Sequence, residues 1–232
     1  MIPLDKLFNK HSIIGMVGNR STGKSMTMLG ALIEYRKKYP DIPIYVYGVE
    51  EAVIPILEDK YNIITLESKR DITDLALTEC VIWVDEFAMI FDTKSSSKQL
   101  SKLEAFFDRL EHRKIKFIFG TAREKFFNTF ACSRMTLAIV KEIEYDALVN
   151  NTWLKDNIKA INSMSEYRLE CPIDRCFVVS KKGGLVTKHK SSYYKELDTK
   201  QFKKSVFDTP IKESKPKRKF IKEVEKMTKI SL

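Results

Sequence analysis

Residues Gly15–Met26 read GMVGNRSTGKSM, and within them Gly18 to Ser25 follow the spacing G-x-x-x-x-G-K-S. With glycine near 7% of average usage, roughly one chain in a hundred of this length would carry that spacing by chance, so the flanking sequence must decide. A phosphate-binding loop needs a strand before it and a helix after it, because its amides must converge on one concavity at a helix N-terminus. His11–Val17 (HSIIGMV) is a short apolar run that suits a buried parallel strand. After Ser25, apolar residues fall at Met28, Leu29, Leu32, Ile33 and Tyr35, which is helical spacing. Arg36, Lys37 and Lys38 suit the last turn and Pro40 the stop. Strand, loop and helix therefore occur in the required order.

The chemistry expected of this segment follows from its residue types. Gly18 and Gly23 let the backbone approach phosphates closely, Lys24 can reach the β- and γ-phosphates, and the Ser25 hydroxyl can ligate Mg²⁺. The nucleotide-binding segment is Gly18, Asn19, Arg20, Ser21, Thr22, Gly23, Lys24, Ser25 and Met26, with ATP and Mg²⁺ as the expected ligands. A second apolar run, CVIWV (Cys80–Val84), ends in Asp85-Glu86. At the carboxyl end of a buried strand, Asp85 can hold the Mg²⁺ shell and Glu86 can polarise the attacking water. The bland alternative for such a pair is a helix-start cap. A third run, IKFIFGTAR, ends at Thr121, which is placed to sense or orient the γ-phosphate, although threonine commonly ends strands. Arg109, Arg113, Arg123 and Arg134 cluster around this strand. One of them could enter a neighbouring subunit's site as an arginine finger; Arg113, between helix and strand, is the first choice.

Other segments complete an alternating pattern. IPIYVYGV (Ile42–Val49) reads as a strand, Glu51–Tyr61 as a short helix broken near Pro55, and NIITL as a further short strand. DTKSSSKQ (Asp92–Gln99) reads as a polar loop before an amphipathic helix, Leu100–Lys114, and MTLAIVKEIEY as another strand. The expected fold class is α/β: a RecA-like sheet, mostly parallel, flanked by helices. DNIKAINSMSEYRLE looks helical, and Arg175–Lys190 looks like a hairpin turning at Lys182-Gly183-Gly184. The expected organisation is one P-loop domain over 1–206, including that hairpin near 176–190, and a flexible basic tail over 207–232.

Charge and cysteines narrow the setting. The net charge is +10, and Lys181–Leu232 alone holds 16 basic and 6 acidic residues, which is the whole excess. Such an extension attracts phosphate backbones or anionic surfaces; a solvated tail that aids solubility is the plainer reading. The cysteines Cys80, Cys132, Cys171 and Cys176 show no zinc-ligand pattern and read as reduced thiols of a cytoplasmic protein. No apolar run approaches the ~20 residues that would cross a bilayer.

GNRSTGKS, CVIWVDEF, the arginine-rich helix end DRLEHRK, IKFIFGTAR and the late hairpin CFVVSKKGGLVTKH together resemble the FtsK/HerA superfamily of P-loop ATPases. The likeness is greatest to the genome-packaging ATPases of double-jelly-roll-capsid viruses, including archaeal ones. It covers roughly residues 11–190; the glutamine common after the strand-ending threonine is Ala122 here. The resemblance implies an ATP-driven double-stranded DNA translocase working as a homo-oligomeric ring of five or six subunits. It also implies ATP at subunit interfaces, duplex DNA in the pore, a capsid or portal-vertex partner, and a host-cytoplasmic location. The loop Asp92–Gln99 and the basic C-terminal region are candidates for DNA contact or capsid docking. The rival classes are a nucleoside or small-molecule kinase, a RecA-like helicase or recombination ATPase, and a non-catalytic adaptor retaining a nucleotide switch. The adjacent Asp85-Glu86 pair and the concentrated basic tail weigh against the kinase.

Overall fold

The structure is a computed structural model that describes residues 2–18, 22–67, 72, 77–87, 97–121, 134–141, 175–181 and 186–198. All of them belong to the first of the two units into which the chain divides, Met1–Thr199. Nine strands are described: β1 (Ile2–Pro3), β2 (Ile13–Val17), β3 (Ile44–Tyr47), β4 (Ile64–Thr65), β5 (Val81–Val84), β6 (Lys116–Thr121), β7 (Leu137–Val140), β8 (Arg175–Ser180) and β9 (Val186–Lys190). The long helices among the described residues are α1 (Lys24–Lys38) and α2 (Ser97–Leu110).

The strands form one sheet in the order β1-β9-β8-β7-β2-β6-β5-β3-β4. β2 pairs parallel with both β6 and β7, β5 pairs parallel with both β3 and β6, and only β8 runs against its neighbours. Continuous apolar runs predict strands covered on both faces, and β2, β5 and β7 are buried at every position. One face gathers Ile13, Val17, Ile82, Val84, Phe117, Phe119 and Val140 against Phe87 and the α2 residues Leu103, Phe106, Phe107 and Leu110. Phe117 is ringed by Phe87, Phe106 and Phe107 in edge-on contacts with centroids 5.2–6.4 Å apart, the geometry that aromatic quadrupoles favour. The residues of opposite parity, Ile14, Met16, Val81, Trp83 and Ile118, are equally buried. α1 buries ten of its 15 residues, so it is a central helix and not a surface helix with one apolar stripe.

This connectivity places the chemistry. The chain leaves β2 toward β3 on one side, returns through β5 and β6, and then crosses to β7 on the other side of β2. β2 therefore stands where the winding reverses, and the crevice beyond its carboxyl end is where an open α/β sheet takes its ligand. Gly18, Asp85, Thr121 and Lys141 all follow or end parallel strands at that edge.

Several expected boundaries move for identifiable reasons. Glu51–Tyr61 divides near Pro55 as expected: a 3-10 turn over Glu51–Val53 gives way to a π-helical turn over Ile56–Lys60, with Pro55 as its N-cap. At that position the missing N–H costs nothing. α2 begins at Ser97, inside the stretch expected as a loop, and ends at Leu110 in a tight stop, short of Lys114. There Ile115 N bonds Leu110 O at 2.9 Å, Lys114 N bonds Glu111 O at 3.0 Å, and Lys114 has φ 54°. This is a Schellman cap made without glycine, sealed by the burial of Ile115 and Leu110. The hairpin strands β8 and β9 pair antiparallel as expected, and β9 then accepts the unexpected β1 in parallel. The expected turn at 182–184, the helix at 156–170 and the tail lie outside the described residues. Cys80 and Cys176 are buried free thiols, and among the described residues no helix is long and apolar enough to cross a membrane.

Candidate active site

The loop between β2 and α1 is anchored by its own residues. Gly23 caps α1 with φ 81° and ψ 25°, a left-handed conformation that a Cβ would strain. The Lys24 ammonium, nearly buried, donates to the Gly18 carbonyl at 2.9 Å, closing the loop across six residues. Thr27 N makes the first helical bond, to Gly23 O at 2.9 Å. The amides of Lys24, Ser25 and Met26 lie ahead of that bond and point out of the helix end, as anion binding requires. Thr22 is described; Asn19, Arg20 and Ser21 lie outside the described residues.

The acidic pair faces this loop. Ser25 Oγ approaches both carboxylate oxygens of Asp85, at 2.7 and 2.8 Å, and donates its one hydrogen to that carboxylate. Thr121 Oγ1 donates to Glu86 Oε1 at 3.0 Å, so the last residue of β6 is tied to the chain two residues past β5. Burial pushes the Asp85 carboxyl up to about 6, against the Ser25 hydrogen bond and the Lys24 charge, which pull it down. Glu86 and Glu50 add to the upward push. Although Asp85 keeps some surface open to the crevice, the protein packed around it controls its ionisation. A desolvated carboxylate touching a hydroxyl is an all-oxygen donor set, which fits a hard divalent cation such as Mg²⁺. Among the described residues no group of three or more His, Cys, Asp or Glu forms a metal cluster. That is compatible with an ion held by one or two protein oxygens together with substrate phosphates.

Among the described residues, the predicted arginines do not converge on this crevice. Arg113 closes α2 at the amino end of β6: its N–H bonds Arg109 O at 3.0 Å and its carbonyl accepts from Glu79 N at 2.8 Å. β6 runs some 16 Å from there to Thr121 at ~3.3 Å per residue, so any role for Arg113 in phosphate chemistry would be in a neighbouring subunit. Arg134 forms an exposed ion pair with Asp108 at 2.8 Å, and Arg123 lies outside the described residues.

No protein-family model matches the sequence, and no curated protein matches it. Solved structures do. The genome packaging NTPase of Sulfolobus turreted icosahedral virus 2, in complex with AMPPCP, superposes with TM-score 0.56 at 12% identity, covering 79% of this chain and 99% of its own. The DNA-packaging ATPase of Sulfolobus turreted icosahedral virus gives 0.56 at 13% identity, covering 83% and 100%. The type VII secretion ATPase EccC of Thermomonospora curvata gives 0.54 at 14% identity, with 81% of this chain but 24% of its own covered. The chain has the RecA-like P-loop NTPase fold.

Two features of this P-loop crevice escaped the sequence reading. A Cβ at Gly120 would lie 2.5 Å from Asp85 O and 2.6 Å from the Trp83 ring, so glycine is what lets β6 close on the end of β5. A glycine inside an apolar strand is the signal for such an approach. Lys141, directly after β7, is fully buried and donates to Thr27 Oγ1 at 3.2 Å. The available clue was a lysine ending an unbroken apolar run, LAIVK.

Proposed function

We propose that this chain hydrolyses ATP to move double-stranded DNA, in the manner of a viral genome-packaging motor. The observation that carries the reading is the hydrogen bond from Ser25 Oγ to Asp85, which joins the phosphate loop to the acidic pair. In this reading the amides after Gly23 and the Lys24 ammonium hold the β- and γ-phosphates, while Ser25 and Asp85 hold Mg²⁺. That ion supplies charge neutralisation on the phosphate oxygens. Glu86 accepts a proton from the attacking water as its oxygen bonds the γ-phosphorus and the bond to the leaving ADP oxygen breaks. Thr121, hydrogen-bonded to Glu86, aims that base. Arg113, remote from its own site, serves a neighbour's site in a ring of five or six copies, which makes turnover depend on assembly.

Packaging is the motor task supported by the solved structures that superpose on this chain over their full length. This chain spans 98–100% of the viral packaging proteins with which it superposes, against 24% of the EccC cytoplasmic domain. The basic excess of Lys181–Leu232 suits a polyanionic cargo. The test is phosphate release from Mg-ATP by the full chain, with and without duplex DNA and with no phosphate acceptor. Release stimulated by duplex DNA is expected; release that requires a small-molecule acceptor would assign the chain to the kinases instead.

A further inference from the structure

Of the three non-glycine residues with positive φ among the described residues, two are joined by an ion pair: Glu79, at 47°, and Lys114, at 54°. Left-handed backbone is disfavoured for residues with long side chains. At Lys114 the cap on α2 accounts for it. Glu79 lies in a bend before β5, where its N–H bonds Arg113 O at 2.8 Å. Its carboxylate accepts from Lys114 Nζ at 2.5 Å. One residue thus holds the backbone of Arg113 and the side chain of the residue after it. Lys116 N bonds Cys80 O at 2.8 Å and Arg113 N bonds Arg109 O at 3.0 Å. The turn after α2 is thereby fastened to the start of β5, the strand that leads into Asp85 and Glu86.

Stability does not explain the pair. The Lys114 and Glu79 side chains are 73% and 66% exposed, and an ion pair that open is screened by water and contributes little to folding. Left-handed backbone at both residues opposes folding. Strain kept at such a pair points to what the pair holds in place, and the residue that both anchors fix is Arg113. The turn borders an open crevice of about 1040 Å³ that Glu79, Glu111, Lys114 and Lys116 help to line, so a second molecule can reach it. We infer that Glu79 is a positioning residue for Arg113: its N–H and its ion pair with Lys114 set the turn that offers Arg113 to a neighbouring copy's nucleotide. The inference rests on the reading of Arg113 as serving a neighbour's site and names the residue that aims it.

The test mixes two full-length variants, each impaired alone. Glu86→Gln keeps Arg113 but lacks the proposed base, and Arg113→Ala keeps the base but lacks the arginine. Mixed, they are expected to recover phosphate release from Mg-ATP, because the first lends its arginine to the second's site. Glu79→Gln is then added to one partner at a time. In the arginine donor it is expected to lower the recovered rate about twofold to fivefold, the population shift that loss of an exposed ion pair produces. In the recipient the change is expected to stay below about 1.5-fold, since no pair that aims a working arginine is lost there. Lys114→Gly in the donor removes the same pair and relieves the φ of 54°, so it should act like Glu79→Gln. Glu79→Lys combined with Lys114→Glu rebuilds the pair with its charges reversed and should recover most of the loss. An equal fall in both arms, or none in either, would overturn the inference and leave the pair a feature of the fold alone. Should Glu79→Gln be insoluble, Lys114→Gly carries the same donor-against-recipient comparison. If the two parent variants recover no turnover when mixed although the wild type is active, Arg113 does not act on a neighbour; that reading fails, and the inference with it, before Glu79 is changed.

Discussion

Replacing Gly120 by alanine tests how closely the two acids are held. The added Cβ would sit 2.5 Å from Asp85 O and 2.6 Å from Trp83 Cη2, where ordinary contact begins near 3.4 Å. One of the two strands must therefore yield by close to 1 Å. The Asp85 carbonyl is backbone, and Asp85 N is itself bonded to Tyr47 O at 2.9 Å, so relief comes from displacing the β5 terminus that carries Asp85 and Glu86. Overpacking of this kind costs about 1–3 kcal/mol, or a fall in melting temperature of roughly 2–10 °C for a domain of this size. The effect on turnover is larger, since misplacing a catalytic group by ~1 Å costs about a hundredfold. Gly18, Gly23 and Lys24 lie on the other side of the crevice, so ATP affinity is expected to change less than about threefold. Adding Trp83→Phe removes the ring atom but not the carbonyl contact, so it recovers part of the stability and little of the rate. The assays are a thermal melt, equilibrium nucleotide binding and steady-state phosphate release on the same preparation. A Gly120→Ala protein that hydrolyses ATP within about threefold of wild type would refute the reasoning, because it would mean that the acids need not be held where β5 places them.

Four further outcomes follow from the same geometry. Lys24→Ala is expected to abolish nucleotide binding, whereas Glu86→Gln leaves binding within about threefold and lowers turnover at least a hundredfold, as binding and single-turnover assays will report. Thr121→Val removes the hydroxyl bonded to Glu86 and should lower turnover by about tenfold to a hundredfold with little change in ATP affinity, while Thr121→Ser keeps most activity. The raised Asp85 carboxyl, near 6, sets a sign: it contributes stability below its ordinary acid range, and that contribution is lost as pH rises through 6 in the metal-free protein. Mg²⁺ binds the ionised form, so its stabilisation in thermal melts should be larger at pH 7.5 than at pH 5, and Asp85→Asn should erase the difference. If the basic tail contacts DNA phosphates, ending the chain at Phe207 will flatten the plot of log affinity against log salt by roughly one unit per lost contact; an unchanged slope assigns the tail to another role.

What the sequence disclosed, and what it hid, follow one physical division. The strands β2, β5, β6 and β7 were legible because a strand buried on both faces has to be an unbroken apolar run. The loop was legible because only glycine tolerates φ 81° at the start of α1. The meeting of Ser25 with Asp85, sixty residues apart, followed from the loop that opens α1 and Asp85 both lying beyond the carboxyl ends of parallel strands. Illegible features were those set by pair geometry. Nothing local says that the Thr121 hydroxyl is donated to Glu86, that Gly120 is pressed against the Asp85 carbonyl, or that Lys141 turns inward to Thr27. The register that pairs Val84 with Phe119 and Val17 with Val140 creates all three contacts, and register is a property of two strands at once. The Arg113 position shows the same limit from the other side. Its place at the end of α2 was readable, but whether it serves a phosphate depends on a second copy of the chain. The Thr121 hydroxyl has one hydrogen to donate, and Glu86 receives it here. In the proposed reaction a γ-phosphate, which also only accepts, would compete for that hydrogen, so nucleotide binding and alignment of Glu86 would be coupled through a single O–H.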